Sequence, residues 1–342
     1  MPAHREPPPP LTRARLVRVL VVAALALVVA ALVAPLVGSA DVDLRAVLRG
    51  DAPLDRAILL SARLPRVLAA ILAGGTLAVV GVTMQAILRN ALAEPYTLGV
   101  SGGGALAAAL AIALGIDAVL PLGMTLPISS MLGSMSAMLL VERLASRHGA
   151  FSPGVLLLAG VGIGVVASAG ILLALHVADP LPGARVLRWL MGGIDIGSPD
   201  LLWCSGPIAI VAVGVLVGRA RDMNLLSAGD DTAGSLGVDV ARTTRSLYLV
   251  ASLATGAVVA IVGPIGFVGL VVPHALRRVI GADHRLLAPA SALAGATFLL
   301  VCDTATRVAF AAREPPVGVV TALIGGPALL VLLLRERRAT LL

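Results

Sequence analysis

The chain has 342 residues, 58% of them hydrophobic and 13% charged, with a mean hydropathy of +0.99 and a formal net charge of +7. A soluble domain is typically about 45–50% apolar and about 25% charged, so this chain has too little polar surface to cover itself and much of it must face lipid. All 26 basic residues are arginine; a phosphate-binding Walker loop and a Schiff-base site both need lysine, which excludes a P-loop ATPase and a lysine-based enzyme.

In chain order, residues 1–16 form a polar lead in which Pro7–Pro10 reads as a disordered stretch. Apolar runs follow near 17–37, 64–84, 96–115, 121–142, 154–178, 200–219, 245–264, 266–280, 286–304 and 316–334. A transmembrane helix needs about 20 apolar residues. The pattern therefore predicts an all-α, polytopic membrane protein of about ten helices, forming one domain over 17–338. The first run follows Arg13, Arg15 and Arg18 and precedes Gly38-Ser39-Ala40, as a signal peptide would. Its length exceeds the roughly 7–15 residues of a signal core, so it reads as a retained helix. The eighth run is short and broken by Pro273. No hydrophilic domain interrupts the series; the longest polar intervals are 38–63 and 219–245.

Threaded from an inside N-terminus, this scheme puts 17 of the 26 arginines on the inner side and 9 on the outer, while acidic residues divide 9 to 10. Such an excess is the positive-inside signature, and it places both termini in the cytoplasm. The positive charge thus belongs to membrane topology, and no nucleic-acid partner is expected.

Small residues crowd the runs, as at Gly74-Gly75, Gly81, Gly102–Gly104 and Gly160. In lipid they let helix backbones approach closely. They are not dinucleotide loops, because no strand precedes them and no acidic residue follows at the required distance. Cys204 and Cys302 lie inside predicted spans and read as small buried fillers, with no disulfide framework and no metal site. His176 has no second ligand at helical spacing. A faint internal echo pairs the run containing Gly81, followed by Gln85, Arg89 and Glu94, with the run containing Gly269, followed by His274, Arg278 and Asp283; internal duplication is common in transporters.

Several blocks carry finer information. Arg63-Leu64-Pro65-Arg66 opens the second helix. Met84-Gln85 and Arg89-Asn90-Ala91-Leu92-Ala93-Glu94-Pro95 lead into Leu98-Gly99-Val100-Ser101-Gly102. Leu158-Ala159-Gly160, Trp189-Leu190-Met191-Gly192-Gly193 and the inner stretch 226–237 follow. Then come the 263–295 block with its Pro273-His274 pair, Asp303, Arg307, and Glu314-Pro315-Pro316-Val317-Gly318. In this order and spacing, from about residue 60 to 334, the chain resembles the FecCD-type permease subunits of ABC importers for ferric siderophores, haem and cobalamin. One departure is Ala91, where the family usually has proline; the change restores a backbone N–H and relaxes the turn.

The resemblance implies a type II importer permease fold with no catalysis and no cofactor of its own. ATP would be used by two cytoplasmic ATPase subunits. The other partners would be a second permease copy or a homologous permease, an extracytoplasmic substrate-binding protein and membrane lipid. The cargo would be a metal chelate, first a ferric siderophore, with cobalamin or haem as the alternative, and the setting the bacterial cytoplasmic membrane.

By the same resemblance Arg63, Arg66 and Arg307, at predicted outer helix ends, would dock the binding protein through forked contacts to its carboxylates. The bland alternative is interface anchoring or local pairing, such as Arg307 with Asp303 one turn earlier. Asn90 and Leu92 would form the inner constriction of the path. The fifth helix would line it with Ser168 as its one polar side chain before His176. Gly229, Asp230, Asp231, Leu236 and Gly237, in the 219–245 loop, read as two short helices punctuated by glycine and by resemblance form the ATPase coupling element. An ion-coupled carrier usually needs intramembrane carboxylates or histidine; these spans hold almost no acidic residue.

Overall fold

Lipid offers the backbone no hydrogen-bond partners, so a chain this apolar must satisfy its N–H and C=O groups within helices. All regular elements among the described residues are helical. The structure is a computed structural model and describes residues 11–38, 43–96, 99–116, 119–120, 124–145, 153–194, 200–310 and 314–340; Pro7–Pro10 lies outside them.

Helix α1 (Arg13–Val33) begins before the expected residue 17, because the Thr12 hydroxyl accepts from Arg15 N and caps it. Two short helices, α2 (Leu44–Arg49) and α3 (Pro53–Ala57), and a π-helical turn (Ile58–Arg63) lead into α4 (Leu64–Leu88). There follow α5 (Val100–Ala113), α6 (Thr125–Ala145), α7 (Pro153–Val177), α8 (Pro180–Leu190) and α9 (Asp200–Gly218). Two further short helices, α10 (Ala220–Ser227) and α11 (Asp230–Ser235), precede α12 (Val240–Val262). The chain ends with α13 (Val268–Ile280), α14 (His284–Ala309) and α15 (Val317–Thr340).

Each of the ten apolar runs coincides with one helix: α1, α4, α5, α6, α7, α9, α12, α13, α14 and α15. By length and composition alone, six stretches qualify as spans, or seven if α9 and α10, bent by 54°, count as one. The shortfall has a physical reason. Helices α5 and α13 hold 14 and 13 residues, and the apolar part of α15 covers only Val317–Val331, all below the ~20 needed to cross hydrocarbon as helix alone.

Helix α4 is the hub. It packs along α14, α12 and α13, and glycine permits the approach. A Cβ on Gly74 would overlap the Gly295 backbone, and one on Gly81 would overlap Gly269. The two glycines that head the internal echo therefore meet face to face. A second close junction joins Gly103 of α5 to Gly133 of α6. Apolar packing forms one cluster around Met84, Tyr248 and Leu287 and another around Ala70, Val258 and Leu299. Cys302 is buried as expected, but Cys204 is exposed on α9. That corrects its reading as a buried filler: α9 turns this side of its surface away from the core.

Candidate functional site

Chemistry-bearing residues gather at the two ends of the bundle. At one end α4 stops at Arg89, whose backbone is left-handed with φ 47°. Its guanidinium pairs with Asp230 and donates Nε–H to Leu226 O at 3.1 Å. That ties the foot of α4 to α10 and α11. Asn224 donates Nδ2–H to Asp283 at 2.8 Å, and its Oδ1 accepts from His284 N at 2.9 Å, which fastens α10 to the start of α14. Asp283 also accepts from Arg285 at 2.6 Å. That guanidinium holds the carboxyl down at about 2, so the Asp283 cap stays ionised at any physiological pH.

The expected pair of short helices is thus present and anchored. Gly229, φ 117°, opens α11, and Gly237, φ 85°, follows its end. Ala233 is the one buried residue of α11, and Leu236 stands 61% exposed at the tip. Asp230 and Asp231 lie in the first turn, the position a helix dipole favours for carboxylates. The result is a firm knob with an apolar tip and an acidic flank, a shape suited to a groove in a partner.

At the opposite end the hub is Asp303, which is fully buried. Arg66 forms an ion pair with it at 2.9 Å and with Glu314 at 3.0 Å. The Arg307 guanidinium lies 3.3 Å from the other Asp303 oxygen and donates to Ala34 O and Val37 O at 3.1 and 2.9 Å. Arg63 Nη1 donates to Pro35 O at 2.7 Å. Arg63 and Arg307 are only 7% and 4% exposed. They are buried residues that hold the carbonyls of Ala34, Pro35 and Val37, at and just past the end of α1, which corrects the expectation of exposed forks there. Local pairing of Arg307 with Asp303 one turn earlier is what the geometry shows. Arg66 and Glu314 keep part of their side chains at the surface.

Of the expected path residues, Asn90 and Leu92 follow Arg89 in the turn after α4, and Ser168 lies on α7. Asn90 Oδ1 accepts from Leu92 N at 2.9 Å, and Asn90 O accepts from Ala93 N at 3.1 Å. The Asn90 side chain closes the turn that Ala91 leaves without a proline. The Gly99 turn of this same connection packs on Gly160 and Ile163 of α7. Ser168 is exposed on α7, and its hydroxyl donates back to Gly164 O at 2.9 Å, so it offers no free donor. The face around it is apolar and open: Leu158, Val161, Val165 and Leu172 are exposed, and nothing lies within 4 Å of a Cβ built on Gly154, Gly162 or Gly164.

Sequence reasoning missed three anchors. Glu94 is buried and accepts from Phe267 N at 3.2 Å, holding the start of α13; its signal was a lone carboxylate in an apolar setting. Arg89 appeared only as part of a motif. Asn224 carried no signal at all. Among the described residues no group of three or more His, Cys, Asp or Glu could hold a metal.

A model of the FecCD transport family matches residues 20–335. The chain is 42% identical over 278 residues to the cobalamin import system permease protein of Halobacterium salinarum, covering 81% of this chain and 73% of that one. It is 39% identical over 283 residues to the hemin transport system permease protein of Yersinia pestis, covering 82% and 84%. A solved metal-chelate type ABC transporter in an inward-facing conformation superposes with a TM-score of 0.81 at 30% identity, covering 93% of this chain and 99% of that one. The chain therefore belongs to the FecCD transport family, as a multi-pass membrane permease with the ABC-permease fold.

Proposed function

We propose that the chain is the channel-forming subunit of an ABC importer for a large metal chelate in the bacterial cytoplasmic membrane. The observation that carries the reading is the match over nearly the whole chain to a metal-chelate type transporter. In this reading ten crossings leave both termini inside. The open α7 face meets the same face of a second permease, and cargo passes between them over Asn90, Leu92 and Ser168. A wall with few free polar groups suits passage, since what enters must leave. Two ATPase subunits grip the knob formed by Gly229, Asp230, Asp231, Leu236 and Gly237. No cofactor is bound here, and ATP is consumed on the partner. A binding protein docks at the other end, where Arg66 reaches the surface with Arg63 and Arg307 behind it. Ferric siderophore is the first cargo; cobalamin and haem form the second reading, favoured by what the relatives named above import.

The experiment is reconstitution in proteoliposomes with the cognate ATPase and binding protein. ATP-dependent uptake of labelled ferric siderophore, cobalamin or haem is the expected result. Uptake of none of the three, with the complex assembled and hydrolysing ATP, overturns the assignment.

A further inference from the structure

A groove of about 530 Å³ runs between α1 and α13 over a floor formed by α14. Its walls include Val19, Val22, Ala23 and Ala26 of α1, with Phe298 and Thr297 below. The Thr297 hydroxyl already donates to Leu293 O at 2.9 Å, so the floor offers no free donor and suits hydrocarbon. Arg18 stands on the wall at one end. At that same end Arg15 donates to Ile280 O at 3.0 Å and joins α1 to α13. From Arg18 to Ala26 a helix rises about 12 Å, most of one leaflet of a core about 30 Å thick. The positive-inside balance puts the Arg18 end at the cytoplasmic surface.

Charge singles out the occupant. Among the described residues Arg18 forms no salt bridge. Asp283, the carboxylate that caps the start of α14 just beyond, is engaged by Arg285 and Asn224. The mouth of an apolar slot thus carries unopposed positive charge at headgroup depth.

We propose that this groove is a binding site for an anionic phospholipid of the cytoplasmic leaflet. One acyl chain lies along α1 over Phe298, and the headgroup phosphate meets Arg18. The site needs only that the chain is embedded with this sidedness; it does not depend on which cargo is carried.

The test uses the full chain in nanodiscs of mixed phosphatidylglycerol and phosphatidylcholine, followed by mild delipidation and native mass spectrometry. Each basic residue at a membrane surface strengthens attraction to anionic lipid by about five-fold. The parent should retain phosphatidylglycerol over phosphatidylcholine by at least that factor. Arg18→Gln, a surface change that leaves folding intact, should lose most of the preference. Ala23→Trp should fill the slot and abolish retention of either lipid while the unfolding temperature holds. Equal retention of the two lipids by the parent, or an Arg18→Gln variant with the parent's preference, overturns the proposal.

Discussion

Asp303 shows why burial rather than residue type decides what an arginine does. Its carboxylate is 0% exposed and faces Arg66 and Arg307 together. Removing one partner from a buried ion pair leaves uncompensated charge, a loss of about 3–5 kcal/mol. Asp303→Asn should therefore destabilise the purified chain by about 3 kcal/mol, read as a marked fall in unfolding temperature; an unchanged temperature would show the hub to be dispensable. Replacing Arg63, Arg66 and Arg307 together by glutamate does not isolate docking, because a carboxylate at 307 would oppose Asp303 before any partner was met. Docking is better probed at Arg66 and Glu314, whose side chains reach the surface. The arginine trio was legible in the sequence as a set. Its division into buried and exposed members was not, because the partners lie far away in the chain: Asp303 is 237 residues from Arg66, and Ala34 is 273 from Arg307. Glycines divide in the same way. Gly81→Ala must push α4 from α13, since its Cβ meets the Gly269 backbone, and overpacking of this kind costs about 1–3 kcal/mol. Gly214→Ala meets nothing within 4 Å and should leave the unfolding temperature unchanged or slightly raised.

At the scale of elements, the knob was legible because glycine marks its joints. Gly229 and Gly237 bracket α11 and both have positive φ. What holds the knob was not legible. Arg89 comes from α4 and reaches Asp230 across 141 positions, and Asn224 grips a helix start 60 positions on. Helix α8 went unread for a different reason: an 11-residue amphipathic segment with Arg185 and Arg188 looks like a connection between two long apolar runs. The knob makes a clean prediction. No atom lies within 4 Å of a Cβ built on Gly237, so substitution there is opposed only by its backbone conformation. A β-branched residue in the left-handed region costs about 1–2 kcal/mol, whereas asparagine visits that region readily. Gly237→Val should fray α11 and leave ATP hydrolysis by the assembled transporter uncoupled from uptake, while Gly237→Asn should retain most coupling. Equal coupling in both variants and the parent would move the ATPase contact to another cytoplasmic loop, first of all 277–285.

Across the whole molecule, contacts at the two ends fix the directions of α4, α12 and α14. Arg89 with Asp230 and Asn224 with Asp283 place the end of α4, the knob and the start of α14 together. Arg66 with Asp303 places the start of α4 beside the end of α14. Helix α12 leaves the knob end, so the chain must return to that end before α14 begins. Only residues 263–280 are available for the return. Helix α13 rises about 20 Å, and the non-helical stretch 263–267 reaches at most about 16 Å further. Together they are long enough for the ~30 Å hydrocarbon core, although the helix alone is not. Irregular backbone at that depth is tolerated when protein satisfies it, and Glu94 accepts from Phe267 N while Val262 O accepts from Gly193 N. In the proposed ten-crossing arrangement a half-length helix completes a full crossing, which a count of long apolar helices misses. Single cysteines placed in a Cys204→Ser, Cys302→Ser background test this directly in intact cells. Leu54→Cys, on exposed α3, should react with a membrane-impermeant thiol reagent from outside. Leu236→Cys at the knob tip and Ala282→Cys just past α13 should react only after permeabilisation. If Ala282→Cys labels from outside alongside Leu54→Cys, residues 263–280 do not cross, and the ten-crossing scheme fails at the segment bearing Pro273.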